Sequence, residues 1–312
     1  MNSFWISFNA VVPMFCIIFL GMYFKKKEYL SEKAVLQMNK LTFVCFTPVL
    51  IFKNIYTSGG LSALHPSLMI FTAIAVLAVF AFAVVTVMAI EKSPKKRGAM
   101  IQAIFRSNFT LFGVPLAVNL FGEDMGSVPS LLISIVIPIY NVLAVIILEI
   151  FRGGEIHVKK IIINIFKNPY LQAAVLGVIF MVTGIKLPGI AEKVVKDLAS
   201  VSVPLALIVL GASFRYSEVK KSMKQLVFTT AMKLAIVPAL VLTAAIAFGF
   251  RGIDLGSILA VFASPTAIGS YAMTVQMDSD ADLTAGIIVS TTLGSCITLF
   301  IFIFGLSYFG LL

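Results

Sequence analysis

Arg106, Ser107 and Asn108 interrupt the apolar stretch Gly98 to Gly122, GAMIQAIFRSNFTLFGVPLAVNLFG, and Gly113 and Pro115 follow close behind. About 20 apolar residues cross a bilayer as a helix, so these polar groups would lie at membrane depth. A charged or amide side chain at that depth marks a functional site. Pro115 has no N–H to return to Leu111 and its ring crowds that turn, which predicts a kinked or opened helix. Opened backbone survives in a bilayer only where protein buries it or a wet cavity solvates it. Arg106 lies nine residues past Arg97, about 13 Å along a regular helix. It either faces a pocket or snorkels to the headgroups on its long stem. Asn108 is too short to snorkel. Its amide, with two donors and an acceptor, suits a pocket or a hydrogen bond between helices.

A second stretch, Leu255 to Met277, has the same build, broken by Ser264-Pro265-Thr266 and Gly269-Ser270. Ser264, Thr266 and Ser270 either bond a carbonyl one turn back or, with Gly269, let another chain cross closely. Asn141, in PIYNVLAV, is a further midmembrane amide. Lys233 is expected to snorkel or to pair with an acid, and Glu149 lies near a helix end. Two Gly/Pro-interrupted spans in matching halves point to a transporter's binding site. Each opened helix offers a half-helix N-terminus with free N–H groups and partial positive charge, and two such ends meeting at midmembrane favour an anion. The candidate substrate-binding set is Asn108, Arg106, Pro115, Asn141, Ser264, Pro265, Thr266 and Ser270.

Other chemistries fare badly. Two histidines, His65 and His157, stand apart, and no HExxH, GxSxG, P-loop or CxxC pattern occurs, so no enzyme active site, cofactor site or metal site is expected. Asp278-Ser279-Asp280-Ala281-Asp282 opens like a calcium loop, but Leu283 replaces the required Gly and Val289 the required Glu. These acids are expected to cap the last helix. Cys16, Cys45 and Cys296 are scattered in apolar runs and read as small hydrophobes. The net charge of +10 is carried by short clusters between apolar runs. That is the signature of positive-inside loops and argues against nucleic acid as a partner.

The elements that must position the two interrupted stretches follow from composition. The chain is 60% hydrophobic and 12% charged, with a mean hydropathy of +1.04; soluble domains carry about 25% charged residues. Ten apolar runs fall near 4–24, 35–57, 66–90, 98–122, 127–151, 169–185, 195–214, 225–249, 255–277 and 283–310, and the first reads as a membrane helix, not a cleaved leader. The polar connection 153–168 separates a first five-helix unit, 1–152, from a second, 169–312. Pro13, Gly21 and Pro48 recur as Pro169, Gly177 and Pro204, each displaced by 156 positions, and Pro115 and Pro265 fall in the two broken runs. Five helices per half is an odd number, so the second half enters the membrane inverted. The expectation is an all-α integral membrane protein of ten transmembrane helices, a 5+5 inverted repeat whose fourth and ninth helices are broken and cross. Of the 24 Lys and Arg, 17 fall on one side of this arrangement and 5 on the other. The richer side is cytoplasmic, leaving both termini outside the cell membrane.

The run Asn108-Phe-Thr-Leu-Phe-Gly113-Val-Pro115-Leu, closed by Asn-Leu-Phe-Gly122, resembles the fourth helix of the auxin efflux carrier family, which includes plant PIN carriers and bacterial organic-acid permeases. SPTAIGSYAMTVQM from Ser264 is similar to the family's ninth helix, and Lys167-Asn168-Pro169 and Tyr140-Asn141 also fit. The long cytoplasmic loop of many plant members is missing, so the chain looks like a compact bacterial-type member. The resemblance implies a scaffold of helices 1, 2, 6 and 7, a mobile domain of the other six, and carboxylate binding near Asn108 at the crossover. It also implies elevator-like movement in the bilayer and a homodimer joined through the scaffold. Auxin-like acids and malate or malonate are the implied substrates. A sodium-coupled carrier of the bile-acid symporter type and a transporter-like sensor are the alternatives.

The charge asymmetry makes a prediction about topology. In a background lacking native cysteines, Gly59→Cys and Ser93→Cys should be labelled by an impermeant maleimide from opposite faces, Gly59→Cys from outside. Labelling of Gly59→Cys only from the cytoplasm overturns the orientation.

Overall fold

The computed structural model describes residues 2–57, 66–109, 113, 116, 120–121, 127–152, 163, 166–214 and 220–312, all in helices and their connections. Eleven helices are named here: α1 (Asn2–Lys26), α2 (Glu32–Tyr56), α3 (Pro66–Ile90), α4 (Pro94–Phe105), α5 (Ser127–Ile150), α6 (Pro169–Thr183), α7 (Gly189–Ser213), α8 (Met223–Ala247), α9 (Gly252–Ala263), α10 (Gly269–Gln276) and α11 (Ala281–Tyr308). Among the described residues, α2, α3, α7, α8 and α11 are long and apolar enough to cross a membrane. The surface agrees: Ile70, Val85, Phe248, Phe304 and Tyr308 are among many large apolar side chains left exposed, which water would not tolerate over so wide an area. The Gly98 to Gly122 run and the end of the first half lie partly outside the described residues, Pro115 and Gly122 among them.

Local chemistry sets the ends of these helices. Ser31 caps α2, its Oγ accepting from Ala34 N at 3.1 Å. Asp280 caps α11, its Oδ1 accepting from Leu283 N at 2.9 Å, so one member of the acidic cluster is a cap, as the sequence suggests. Asp278 is not a cap: it takes a positive φ of 56° and receives Arg152 Nη2 at 2.8 Å. Two helices are widened by a π turn, Thr42–Phe46 in α2 and Met232–Ile236 in α8. Each lies just ahead of a proline, Pro48 and Pro238. The extra residue per turn moves the carbonyl that the proline ring would strike.

The helix α4 stops at Arg106, which is extended (φ −89°, ψ 113°), the first of the polar residues that interrupt the run; Pro115 lies outside the described residues. The second interruption falls where Pro265 dictates, since the residue before proline is pushed out of the helical region; Ser264 has φ −62° and ψ 148°. Residues 98–105 of α4 and 255–263 of α9 are buried without exception, as expected of helices that are enclosed all round. The two broken spans therefore run through the middle of the molecule, with α3, α5, α8 and α11 around them.

On the other side α1 packs on α7, and α2 on α6, through glycines at which the backbones nearly touch. A Cβ at Gly21 would sit on the carbonyl oxygen of Ile208, and one at Gly211 on that of Ile18. Gly177 rests against Ile55 and the Phe52 carbonyl, 3.3 Å from where its Cβ would be. Gly177 follows Gly21 by the same 156 positions by which Ile208 follows Phe52, so the two contacts recur at one spacing with the partners exchanged.

Gly211→Ala tests this contact. It should force α1 and α7 apart at an overpacking cost of about 1–3 kcal/mol, read as a lowered melting temperature in detergent. Gly305→Ala, where nothing lies within 4 Å of the new methyl, is the control and should melt like wild type. Equal melting of both variants would mean the two helices are not held at this distance.

Candidate binding site

At the two interruptions the backbones bond to each other. Asn108 N donates to Pro265 O at 2.7 Å and Ala267 N donates to Arg106 O at 3.2 Å, an isolated antiparallel bridge centred on Ser107 and Thr266. Thr266 N donates to Thr291 Oγ1 of α11 at 3.2 Å. Two hydroxyls close the helix ends: Thr266 Oγ1 bonds Ala103 O of α4 at 2.9 Å and Ser264 Oγ bonds Ala260 O at 2.6 Å. Gly113 lets the chain beyond the first break lie close on α9, since a Cβ there would come 2.5 Å from Ala260 O. The free N–H groups expected at the opened helices are thus partly used up. Unsatisfied backbone in a dry interior costs several kcal/mol per group, and the two breaks meet that cost mutually.

The side chains of the first break are what remains for a ligand. Arg106 does not reach the headgroups; it is 5% exposed. Its Nη2 donates to Asn141 Oδ1 at 2.8 Å, and Nη1 to Met273 Sδ at 2.7 Å and Gln102 Oε1 at 3.5 Å. Tyr170 of α6 places its ring 5.7 Å from the guanidinium carbon, within cation–π range. Asn141 is held in turn by its Nδ2 donating to Ile137 O at 2.9 Å. Asn108 is buried too, and its Nδ2 has no hydrogen-bond partner. A buried, unpartnered amide is costly, and this one borders open space.

That space is a cavity of about 80 Å³ bordered by Arg106, Asn108, Asn141 and Gly269 on one wall. The opposite wall comes from α2 and α7: Thr47 and Ser202, whose hydroxyls lie 3.1 Å apart, with apolar Leu50, Ile51, Val203 and Ala206. Of the expected site residues, Arg106, Asn108 and Asn141 therefore come together. Ser264, Pro265 and Thr266 build the crossing instead of lining the cavity. Ser270 is fully buried with an unpartnered Oγ, but Gly269 is the residue beside the cavity. Pro115 lies outside the described residues.

Lys233 does not snorkel, and no acid among the described residues meets it. It is fully buried on the π turn of α8, and its Nζ donates to Ser107 Oγ at the centre of the crossing. Tyr140 OH reaches the same oxygen at 3.4 Å. Ser107 and Tyr140 were visible in the two motifs but carried no assigned role, and the only sequence signal for Lys233 was a lone base deep in an apolar run ahead of Pro238.

The chain matches the membrane transport protein family over residues 6–303. It belongs to this family, that of the auxin efflux carriers and their PIN-like relatives. An uncharacterized transporter from Methanothermobacter thermautotrophicus is similar at 23% identity, covering 94% of this chain and 96% of that one. A second, from Methanocaldococcus jannaschii, is also 23% identical, covering 92% and 94%. The protein is a multi-pass membrane transporter.

Ser107→Ala probes the hydrogen-bonded centre. It strands the Lys233 ammonium and the Tyr140 hydroxyl in a dry interior, at about 1–3 kcal/mol. Its melting temperature should fall clearly below that of Ser107→Thr, which keeps the oxygen; an alanine variant as stable as wild type would show that Lys233 does not depend on this contact.

Proposed function

We propose that this transporter carries small organic anions by alternating access, with the carboxylate bound beside Arg106 and Asn108 at the crossing of the two broken spans. The observation that carries the reading is the buried, unpartnered Nδ2 of Asn108 on the same cavity wall as a buried guanidinium with no carboxylate beside it among the described residues. A donor without an acceptor next to a cation without an anion is a site that lacks its ligand's charge. An Arg and an amide converging from one extended segment suit a carboxylate. The proposed architecture is ten spans in two opposed five-helix repeats, supported by the exchanged Gly21 and Gly177 contacts. In this arrangement α1, α2, α6 and α7 form a frame against which the crossing core slides as an elevator, in the cell membrane and as a dimer joined through the frame. Auxin-like acids, malate and malonate are the first acids to try.

The test is Asn108→Ala on purified protein. If the amide donates to the carboxylate, the variant loses a charge-assisted hydrogen bond of about 1.5–3 kcal/mol, a fall in affinity of about 10- to 150-fold. Asn108→Asp should be worse, because it opposes an anion with a negative charge in a poorly screened site. Melting without ligand should change little, since Nδ2 has no protein partner to lose. Intact affinity for whichever of malate, malonate or indole-3-acetate stabilises the wild type would remove Asn108 from the site.

A further inference from the structure

Away from the crossing, the turn between α3 and α4 and the start of α8 bring two basic segments to one corner of the core. Lys92 and Lys96 lie in the first, and Lys220, Lys221 and Lys224 in the second. Glu91 ties the segments together. Its Oε2 accepts from Gln225 Nε2 at 2.6 Å, and its Oε1 from the N–H groups of Lys92 and Ser93 at 2.8 Å each. Arg97 Nε closes the turn on Glu91 O at 2.6 Å. The lysines are thus carried on a hydrogen-bonded turn and a helix start, at fixed places relative to one another.

Their charge is only partly offset. The Glu91 carboxylate is 8% exposed and acts on Lys96, but Lys92, Lys220 and Lys224 are exposed and pair with no carboxylate among the described residues. The acidic segment ahead of α11 meets the turn at Lys95, whose carbonyl accepts from Ser279 Oγ and Asp280 N. There Asp278 pairs with Arg152 and Asp280 caps its own helix. Beside the lysines the surface turns apolar: Ile90 ends α3, Met223 and Val227 lie one turn apart at the start of α8, and all three are exposed. Because α3 and α8 are long enough to cross a membrane, lysines at their ends stand at headgroup level, on the side that the charge count assigns to the cytoplasm. A soluble acidic partner would use the charge and leave the apolar rim uncovered. A phospholipid supplies a phosphate and an acyl chain side by side.

We infer that this corner of the core binds an anionic phospholipid, with Lys92, Lys220 and Lys224 around the phosphate and Ile90, Met223 and Val227 along the acyl chains. The lipid is held by α3 and α8 and not by the frame, whatever solute the protein carries.

Purified protein in neutral detergent, titrated with phosphatidylglycerol or with phosphatidylcholine of the same chains, tests this through the melting temperature. Phosphatidylglycerol should stabilise the wild type and phosphatidylcholine should not. The triple variant Lys92→Gln, Lys220→Gln, Lys224→Gln should bind phosphatidylglycerol about 100-fold more weakly, at about fivefold for each lysine beside an anionic lipid. Its melting without lipid should match wild type, since the three side chains are exposed. The same positions changed to Arg should keep the affinity. So should Lys25→Gln, Lys26→Gln, Lys27→Gln, which removes as much charge from the end of α1. An equal loss in that control overturns the site in favour of diffuse charge, and a glutamine variant that binds like wild type removes the three lysines from it. Stabilisation by inorganic phosphate or polyglutamate matching that by phosphatidylglycerol overturns the lipid in favour of a soluble anion or an acidic protein.

Discussion

The rest of the structure depends on two short pieces of extended backbone that face each other where no water is available. A helix satisfies its own peptide groups; an interruption does not, and in an apolar interior each orphaned N–H or C=O is expensive. Arg106 and Asn108 on one chain, Pro265 and Ala267 on the other, settle this by bonding across the crossing. That solution imposes others. The two spans must approach at backbone distance, which Gly113 permits over Ala260. Their helix ends must be closed by hydroxyls, which Ser264 and Thr266 supply. Both must be enclosed on every side, and residues 98–105 of α4 and 255–263 of α9 are all buried.

Because the backbone groups are engaged in this way, the character of the site passes to side chains. Helix dipoles alone would attract any anion near an N-terminus. Here those side chains are a guanidinium held in place by Asn141 and Met273, and a buried amide whose Nδ2 has no hydrogen-bond partner. Lys233 works behind them, tied to the serine between Arg106 and Asn108. On the proposed carboxylate reading, a flat guanidinium and a carboxamide match two oxygens better than one.

What the sequence displayed, and what it concealed, divides along the same line. The break at Pro265 was legible because proline acts on its immediate neighbour, and Ser264 is extended for that local reason. The break in the first span was legible as a fact, but its place at Arg106 follows from pairing with the second span and not from any residue beside it; Pro115 lies outside the described residues. Arg106 itself was undecidable from spacing: a long cationic side chain reaches water or a pocket equally well from one helix position. Lys233 was misread for a related reason. Its inward direction follows from a π turn, and a one-residue widening of a helix leaves no mark on apolar periodicity. The acidic cluster near the last helix was half legible, since a cap needs only local sequence but the pairing of Asp278 with Arg152 joins residues far apart in the chain.

The difference between the frame and the core is one of bonding as well as position. Within the core, short hydrogen bonds tie the two broken spans together, and at one end Ser279 Oγ adds another to Lys95 O at 2.7 Å. Within the frame, glycine contacts bring α1 onto α7 and α2 onto α6. Between them the polar contacts are of a different grade: Tyr170 OH to Gly269 O at 3.5 Å, Asn168 Nδ2 to Met277 Sδ at 4.0 Å, and the Tyr170 ring over Arg106. Long hydrogen bonds weaken steeply with distance and angle, and apolar side chains such as Leu50 and Val203 exchange one neighbour for another at little cost. A boundary of this kind resists separation, since opening it exposes apolar area, but it resists sliding much less. The cavity bordered by Arg106 and Asn108 on one side and by α2 and α7 on the other lies on that boundary.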